Sequence, residues 1–136
     1  MTTATTKYLG KLRCSNVHLQ SGTEILTDAP TDNQGMGSAY SPTDLCALSL
    51  TTCIITTMAI YAQGKDFQIL HVEAETTKHM ASDPRRIARI EAHITIQLNP
   101  EANERVQESL RRIVPICPVS RSLHPDVIKD VTISFI

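Results

Sequence analysis

From Leu45 to Ala62 the sequence "LCALSLTTCIITTMAIYA" runs for eighteen consecutive residues without a charge. Such a stretch must be withdrawn from water, and any fold of this chain has to be built around it. The residues before it read as a helix start. Ser41 is a favoured N-cap, Pro42 suits the first helical position, and Asp44 places negative charge in the first turn. Gly64 is the expected stop. Eighteen residues barely reach the length of a membrane span, and Ser49, Thr51, Thr52, Thr56 and Thr57 dilute the hydrophobicity. The segment therefore reads as a long buried central helix, apolar on nearly all sides. A chain of 136 residues has few elements with which to enclose it, so a second copy is expected to supply part of the wall.

The rest of the chain alternates between strand patterns and turn signals. Residues 7–20 and 23–28 read as a first pair of strands, with "SGT" (Ser21 to Thr23) as their turn. The fifteen residues of "DAPTDNQGMGSAYSP" form a loop long enough to suggest a function. In 67–78, Leu70, Val72, Ala74 and Thr76 fall on one face, and His71, Glu73 and Glu75 on the other. In 87–98, Ile90, Ala92, Ile94, Ile96 and Leu98 alternate with Arg89, Glu91, His93 and Thr95. This period of two marks strands, and "ASDPRR" between them reads as a hairpin turn. A second helix is expected from Asn99-Pro100-Glu101, with Val106, Leu110 and Ile113 on its apolar stripe. Glu101/Arg105 and Glu108/Arg112 have the i,i+4 spacing of solvent-facing pairs. A last strand covers 127–136. The order is β-β-α-β-β-α-β, an α+β fold with antiparallel hairpins, in one domain over residues 1–136.

Charge and composition exclude several function classes. Thirteen basic and fourteen acidic residues give a net charge of −1, with no basic run that a nucleic acid would demand. Aromatic residues are too scarce for a base-stacking platform, and "GMGS" (Gly35 to Ser38) lacks the basic flanks of a KH-type clamp. The amino-terminal "MTTATTKYLGKLRC" has no apolar core of a secretory signal, so the cytoplasm is the expected compartment. There the four cysteines are no evidence of a disulfide framework, and none is spaced with a histidine as a metal site requires.

The cysteines differ in what surrounds them. Cys46 and Cys53, seven residues apart on one helix, lie about 10.5 Å apart along the axis. A disulfide tolerates only about 7 Å between α-carbons, so these two cannot pair. Cys14 and Cys46 read as small core fillers. Cys117 stands between Ile116 and Pro118 in "VPICPVSRSLHP". If Pro118 opens a helical turn, Cys117 becomes its N-cap, and the unpaired N–H groups there would lower the thiol pKa. Taken singly, Cys53 reads as core filler, and Cys117 either as a buried thiol under a turn or as such a cap. Arg85, Arg86, Arg89 and His79 in "HMASDPRRIARI" make a modest basic spot, either an anion site or a solvated hairpin end.

Taken together, two motifs point to a family. "SPTDLCALSLTTC" resembles the Pro-x-Glu/Asp-Leu start of a long helix ending on a cysteine, and "ICPVS" resembles the second Cys-Pro site, of the OsmC/Ohr family, the organic hydroperoxide resistance proteins. The separation of Cys53 from Cys117 and the element order are similar as well, over essentially the whole chain. The resemblance implies an OsmC-like intertwined homodimer with two active sites at the interface. It implies that Cys53 is the peroxidatic thiol, Cys117 the resolving thiol, and Arg13 the cation that keeps Cys53 ionised. The implied reaction reduces organic hydroperoxides to alcohols through a sulfenic acid and a disulfide. It uses no bound cofactor, and an external dithiol, often a lipoylated protein, restores the thiols. Leu50, Ile54 and Met58 are expected to line the apolar substrate pocket. The family holds its arginine with a glutamate directly after the helix-start proline. Here Thr43 occupies that position, and the carboxylate of Asp44 is turned about 100° further round the helix. Asp44 is expected either to hold the arginine or to cap the helix. The alternative function is the same dimer binding a small hydrophobic ligand without turnover.

Overall fold

Ser41, Thr43 and Asp44 set the beginning of the central helix, α1 (Pro42–Ala62), in the computed structural model, which describes residues 1–136. The Asp44 N–H donates to Ser41 Oγ (3.0 Å) while Asp44 Oδ2 accepts from the Ser41 N–H (2.9 Å). This reciprocal capping box satisfies two donors that a helix end otherwise leaves bare. Twenty-one residues without an interior glycine or further proline then continue the helix. Gly64, at φ +73°, takes the left-handed turn that ends it. Hydroxyls inside the apolar run are satisfied locally: Thr57 Oγ1 donates to Cys53 O (2.7 Å) and Thr52 Oγ1 to Leu48 O (3.2 Å). Its length and mean hydropathy of 1.8 would allow it to cross a membrane, as they would for the core helix of a soluble protein.

The chain forms two compact units, Met1–Cys46 and Ala47–Ile136. The second contains the core. Strands β4 (Gln68–Ala81) and β5 (Arg86–Asn99) form the expected antiparallel hairpin, and Ile90, Ala92, Ile94, Ile96 and Leu98 are all buried. They pack with Leu50, Ile54 and Met58 of α1, Leu110 of α2 (Glu104–Arg111), Ile113, Cys117 and Ile133. Each of these large side chains contributes about 1.5–3 kcal/mol by leaving water. The buried Thr51 hydroxyl meets that of Thr76 at 2.6 Å, which ties α1 to β4.

Several expectations are corrected. Leu70 does not face inward: the register slips between Ile69 and His71, so Ile69 joins the core while Leu70 is 55 % exposed. The last strand, β6 (Ile128–Phe135), runs parallel to β5, so the sheet is not built of hairpins alone. A parallel return needs a crossover, and α2 with the short α3 (Pro118–Ser122) provides it. Helix α2 begins at Asn103, whose side chain accepts from the Val106 N–H, rather than at Asn99. Glu101 consequently lies outside the helix, whereas Glu108 and Arg112 do pair, at 2.7 Å.

The first unit holds a three-stranded antiparallel sheet, β1 (Ala4–Gly10), β2 (Arg13–His18) and β3 (Glu24–Asp28). The single strand expected over 7–20 is split by a tight turn in which Gly10, Lys11 and Leu12 all have positive φ. The order is therefore β-β-β-α-β-β-α-α-β, still an α+β fold. This sheet has little core of its own. Tyr8, Leu9, Leu12, Leu19, Ile25 and Leu26 are all at least 40 % exposed, and only Thr27 and Asp28 are buried.

Candidate active site

Cys53 lies near the middle of α1, half-buried, with part of its side chain against the core. Cys117 is fully buried and is the N-cap of α3, as the Cys-Pro step suggested. Pro118 occupies the first turn, where its missing N–H costs nothing, and Cys117 Sγ accepts from the Ser120 N–H at 3.3 Å. Cys117 belongs to the buried core cluster against which Cys53 packs, and the two thiols are close enough for Cys53 to influence the titration of Cys117. All four cysteines are free thiols.

The expectation that capping lowers the Cys117 pKa is corrected. Burial raises it, and the hydrogen bond and charge of Cys53 push the same way, outweighing the N–H groups of Ser120 and Val119. Cys117 thus favours its protonated thiol form more than an ordinary cysteine does. The two cysteines differ in burial, Cys53 being half-buried and Cys117 fully buried.

Leu50, Ile54 and Met58, expected as pocket wall, are instead sealed in the core at 0 %, 0 % and 1 % exposure. The reason is periodic: spaced four residues apart, they share one stripe of α1, and that stripe packs into the core cluster. The surface of α1 beside Cys53 that solvent reaches is formed by Leu48, Ser49, Thr52, Ile55 and Thr56.

Within the first unit, Arg13 is half-buried on β2 directly opposite Asp28 on β3. Asp28 was not singled out by sequence. A carboxylate at 1 % exposure is costly unless satisfied, and Asp28 Oδ2 accepts from both Ser38 Oγ (2.6 Å) and the Ser38 N–H (3.0 Å). These bonds, chiefly that from the Ser38 hydroxyl, hold its pKa below the ordinary carboxylate value, and the Arg13 charge adds to the effect. The long loop supplies this contact through Ser38. Gly35 lies so close to the chain that a β-carbon there would fall 1.7 Å from the Ala29 carbonyl oxygen, and Gly37 has φ +62°. Asp44, the other carboxylate expected near the arginine, forms the capping box of α1.

Of the remaining candidates, Cys14 is half-buried opposite Thr27, and Cys46 is half-buried on α1. Arg86 Nη1 donates to Ser82 O and Pro84 O, stapling the hairpin turn. Arg89 is engaged by Glu91 (3.4 Å) and Asp130 (3.6 Å), and His79 by Glu91 (3.2 Å). An open hollow of about 580 Å³ is lined by Glu73, Ala74, Glu75, His93 and Thr95 on the polar face of the sheet, and includes none of the expected site residues.

Comparison with known proteins adds the context of relatives. The family model described as OsmC-like protein matches residues 35–131. No relative among curated proteins matches the chain. Among solved structures, a provisionally named osmotic stress induced and detoxification response protein from Psychrobacter arcticus is 47 % identical, with a TM-score of 0.88 over 98 % of this chain and 96 % of its own. An OsmC-like protein from Mycoplasma pneumoniae is 16 % identical with a TM-score of 0.80, over 98 % of this chain and 95 % of its own. The organic hydroperoxide resistance protein OhrB of Bacillus subtilis, 16 % identical, shares the fold at a TM-score of 0.67 over 98 % of each chain.

Proposed function

Because the chain belongs to the OsmC-like protein family, we propose that it is a thiol-dependent peroxidase, reducing organic hydroperoxides to alcohols in defence against oxidative stress. The observation that carries this reading is the placing of two cysteines together, Cys53 half-buried against the core cluster that contains the fully buried Cys117. In the proposed cycle the Cys53 thiolate attacks the distal oxygen of ROOH. The O–O bond breaks, the leaving alkoxide takes a proton to become ROH, and Cys53 is left as a sulfenic acid. The Cys117 thiol then condenses with it, forming the S–S bond and releasing water. An external dithiol, with a lipoyl group as the proposed natural form, opens the disulfide by two exchange steps and is itself oxidised. No bound cofactor is required.

Arg13 is proposed to supply the positive charge that favours the thiolate at Cys53. Asp44 is proposed to act as the anchor of the helix that carries Cys53. The apolar flank of α1 around Ile55 and Leu48, braced by Leu50, Ile54 and Met58, is proposed to receive the organic part of the hydroperoxide. Residues 1–136 form, in this proposal, one OsmC-like domain that works as a cytoplasmic homodimer. The exposed apolar residues of the first sheet, Tyr8, Leu9, Ile25 and Leu26, support a second copy as their cover.

The test is peroxide consumption. Reduced protein with cumene hydroperoxide and dihydrolipoamide is expected to consume peroxide catalytically, and Cys53→Ser is expected to abolish this. Equal consumption by Cys53→Ser would overturn the proposal and leave a ligand-binding module.

A further inference from the structure

We propose that Asp28, clamped by Ser38, is the positioning residue for Arg13. The inference rests on the peroxidase reading, from which Arg13 draws its role.

Four observations carry it. Arg13 and Asp28 are direct cross-strand partners, so their side chains leave the sheet on the same face with β-carbons about 5 Å apart. Both hydrogen bonds from Ser38 land on Asp28 Oδ2, and the buried Oδ1 has no hydrogen-bond partner. The Arg13 Nε is likewise buried without a partner. A bare acceptor and a bare donor of opposite charge therefore share one face of the sheet, in a setting where neither can turn to water cheaply. Finally, the backbone frames the pair from both sides: the Ala29 N–H donates to Leu12 O (3.1 Å) and the Asp28 N–H to Tyr40 O (3.1 Å). These bonds lock the residues adjoining Arg13 and Asp28 to each other and to the end of the loop.

A guanidinium on a strand has several rotamers, and without a fixed anion beside it its charge is spread over all of them. A carboxylate that cannot itself move, because one of its oxygens is held twice, selects among those rotamers. The clamp thus turns the Gly35–Ser38 stretch, with no basic residue and no phosphate to cradle, into a support for one arginine.

The experiment follows the rate of Cys53 alkylation by iodoacetamide, read by peptide mass spectrometry across pH, beside kcat/KM for cumene hydroperoxide. Four variants are compared: Arg13→Ala, Asp28→Asn, Ser38→Ala and Ser38→Thr. Asp28→Asn keeps an acceptor for Ser38 and removes only the charge. It is expected to slow Cys53 alkylation at neutral pH and peroxide reduction about tenfold, the scale of one well-placed charge partner. The alkylation curve is expected to move to higher pH, as in Arg13→Ala. Ser38→Ala is expected to move both readouts the same way by a smaller factor, and Ser38→Thr to restore them. The sign is decisive. If Asp28 were only a nearby negative charge, its removal would strengthen the field of Arg13 and speed alkylation. Unchanged or faster alkylation in Asp28→Asn, with Arg13→Ala slowed, overturns the inference and leaves the peroxidase reading standing. If Asp28→Asn does not fold, Ser38→Ala decides by the same criterion. An Arg13→Ala protein indistinguishable from the parent removes the proposed role of Arg13, and the inference with it.

Discussion

Replacing Cys117 separates its two roles, as a helix cap and as a redox partner. The side chain is 0 % exposed, and its sulfur accepts the Ser120 N–H of α3. Truncation to alanine removes one buried heavy atom, worth about 1 kcal/mol, and one N-cap acceptor, worth about another. With an unfolding entropy near 2.1 cal/mol/K per residue, this 136-residue chain loses about 7 °C in Tm for that 2 kcal/mol. Serine keeps an acceptor for the Ser120 N–H, so Cys117→Ser is expected to lose about half as much. Scanning calorimetry of the reduced proteins measures both. After one equivalent of cumene hydroperoxide, either variant is expected to hold Cys53 as a sulfenic acid that dimedone traps. The reasoning is refuted if the serine variant melts with or below the alanine variant, for then the cap contributes nothing. It is refuted equally if dimedone labels Cys14 or Cys46 in preference to Cys53.

Other perturbations have expected directions and sizes. Leu50→Ala, at a fully buried site, is expected to cost about 3 kcal/mol in urea denaturation while leaving the pH profile of Cys53 alkylation in place. A changed profile would mean that Leu50 touches the site. Gly35→Ala must push a methyl into the Ala29 carbonyl, and is expected to cost about 1–3 kcal/mol and to slow peroxide reduction by displacing Ser38. Full stability in that variant would show that the loop yields freely. The carboxyl of Asp28 titrates below its ordinary value in the folded protein, so the unfolded chain takes up that proton first as the pH falls. Its contribution is complete above the ordinary carboxylate range and is lost on acidification through the lowered value. Asp28→Asn is therefore expected to flatten the acid limb of a stability-versus-pH curve measured by urea unfolding, and an unchanged limb would contradict this.

The elements legible in the sequence were those held by local periodicity and capping. Strand β5 alternates without interruption, and all five of its expected inward residues are buried. Helix α1 was marked at both ends, by Ser41 with Pro42 and by Gly64. The split between β1 and β2 was hidden because two of its positive-φ residues are Lys11 and Leu12, types that rarely accept that conformation. The bulge at Leu70 adds one residue to an otherwise regular alternation, and nothing local distinguishes it from an inward leucine. The parallel pairing of β6 is a tertiary choice that no residue of β6 encodes. At the site, Cys117 as an N-cap followed from the Cys-Pro step, whereas its raised pKa follows from burial, which only packing reveals. Asp28 went unnoticed because its partner is ten residues away in a loop. A carboxylate followed by a Gly-x-Gly-Ser return was the available signal.

The central claim is that Cys53 and Cys117 form one redox pair. Its most direct test is non-reducing peptide mapping after the reduced protein meets one equivalent of cumene hydroperoxide. The expected result is a single linked peptide pair joining Cys53 to Cys117, with Cys14 and Cys46 left as free thiols. A link through Cys14 or Cys46, or an oxidised Cys53 with Cys117 still free, would contradict it.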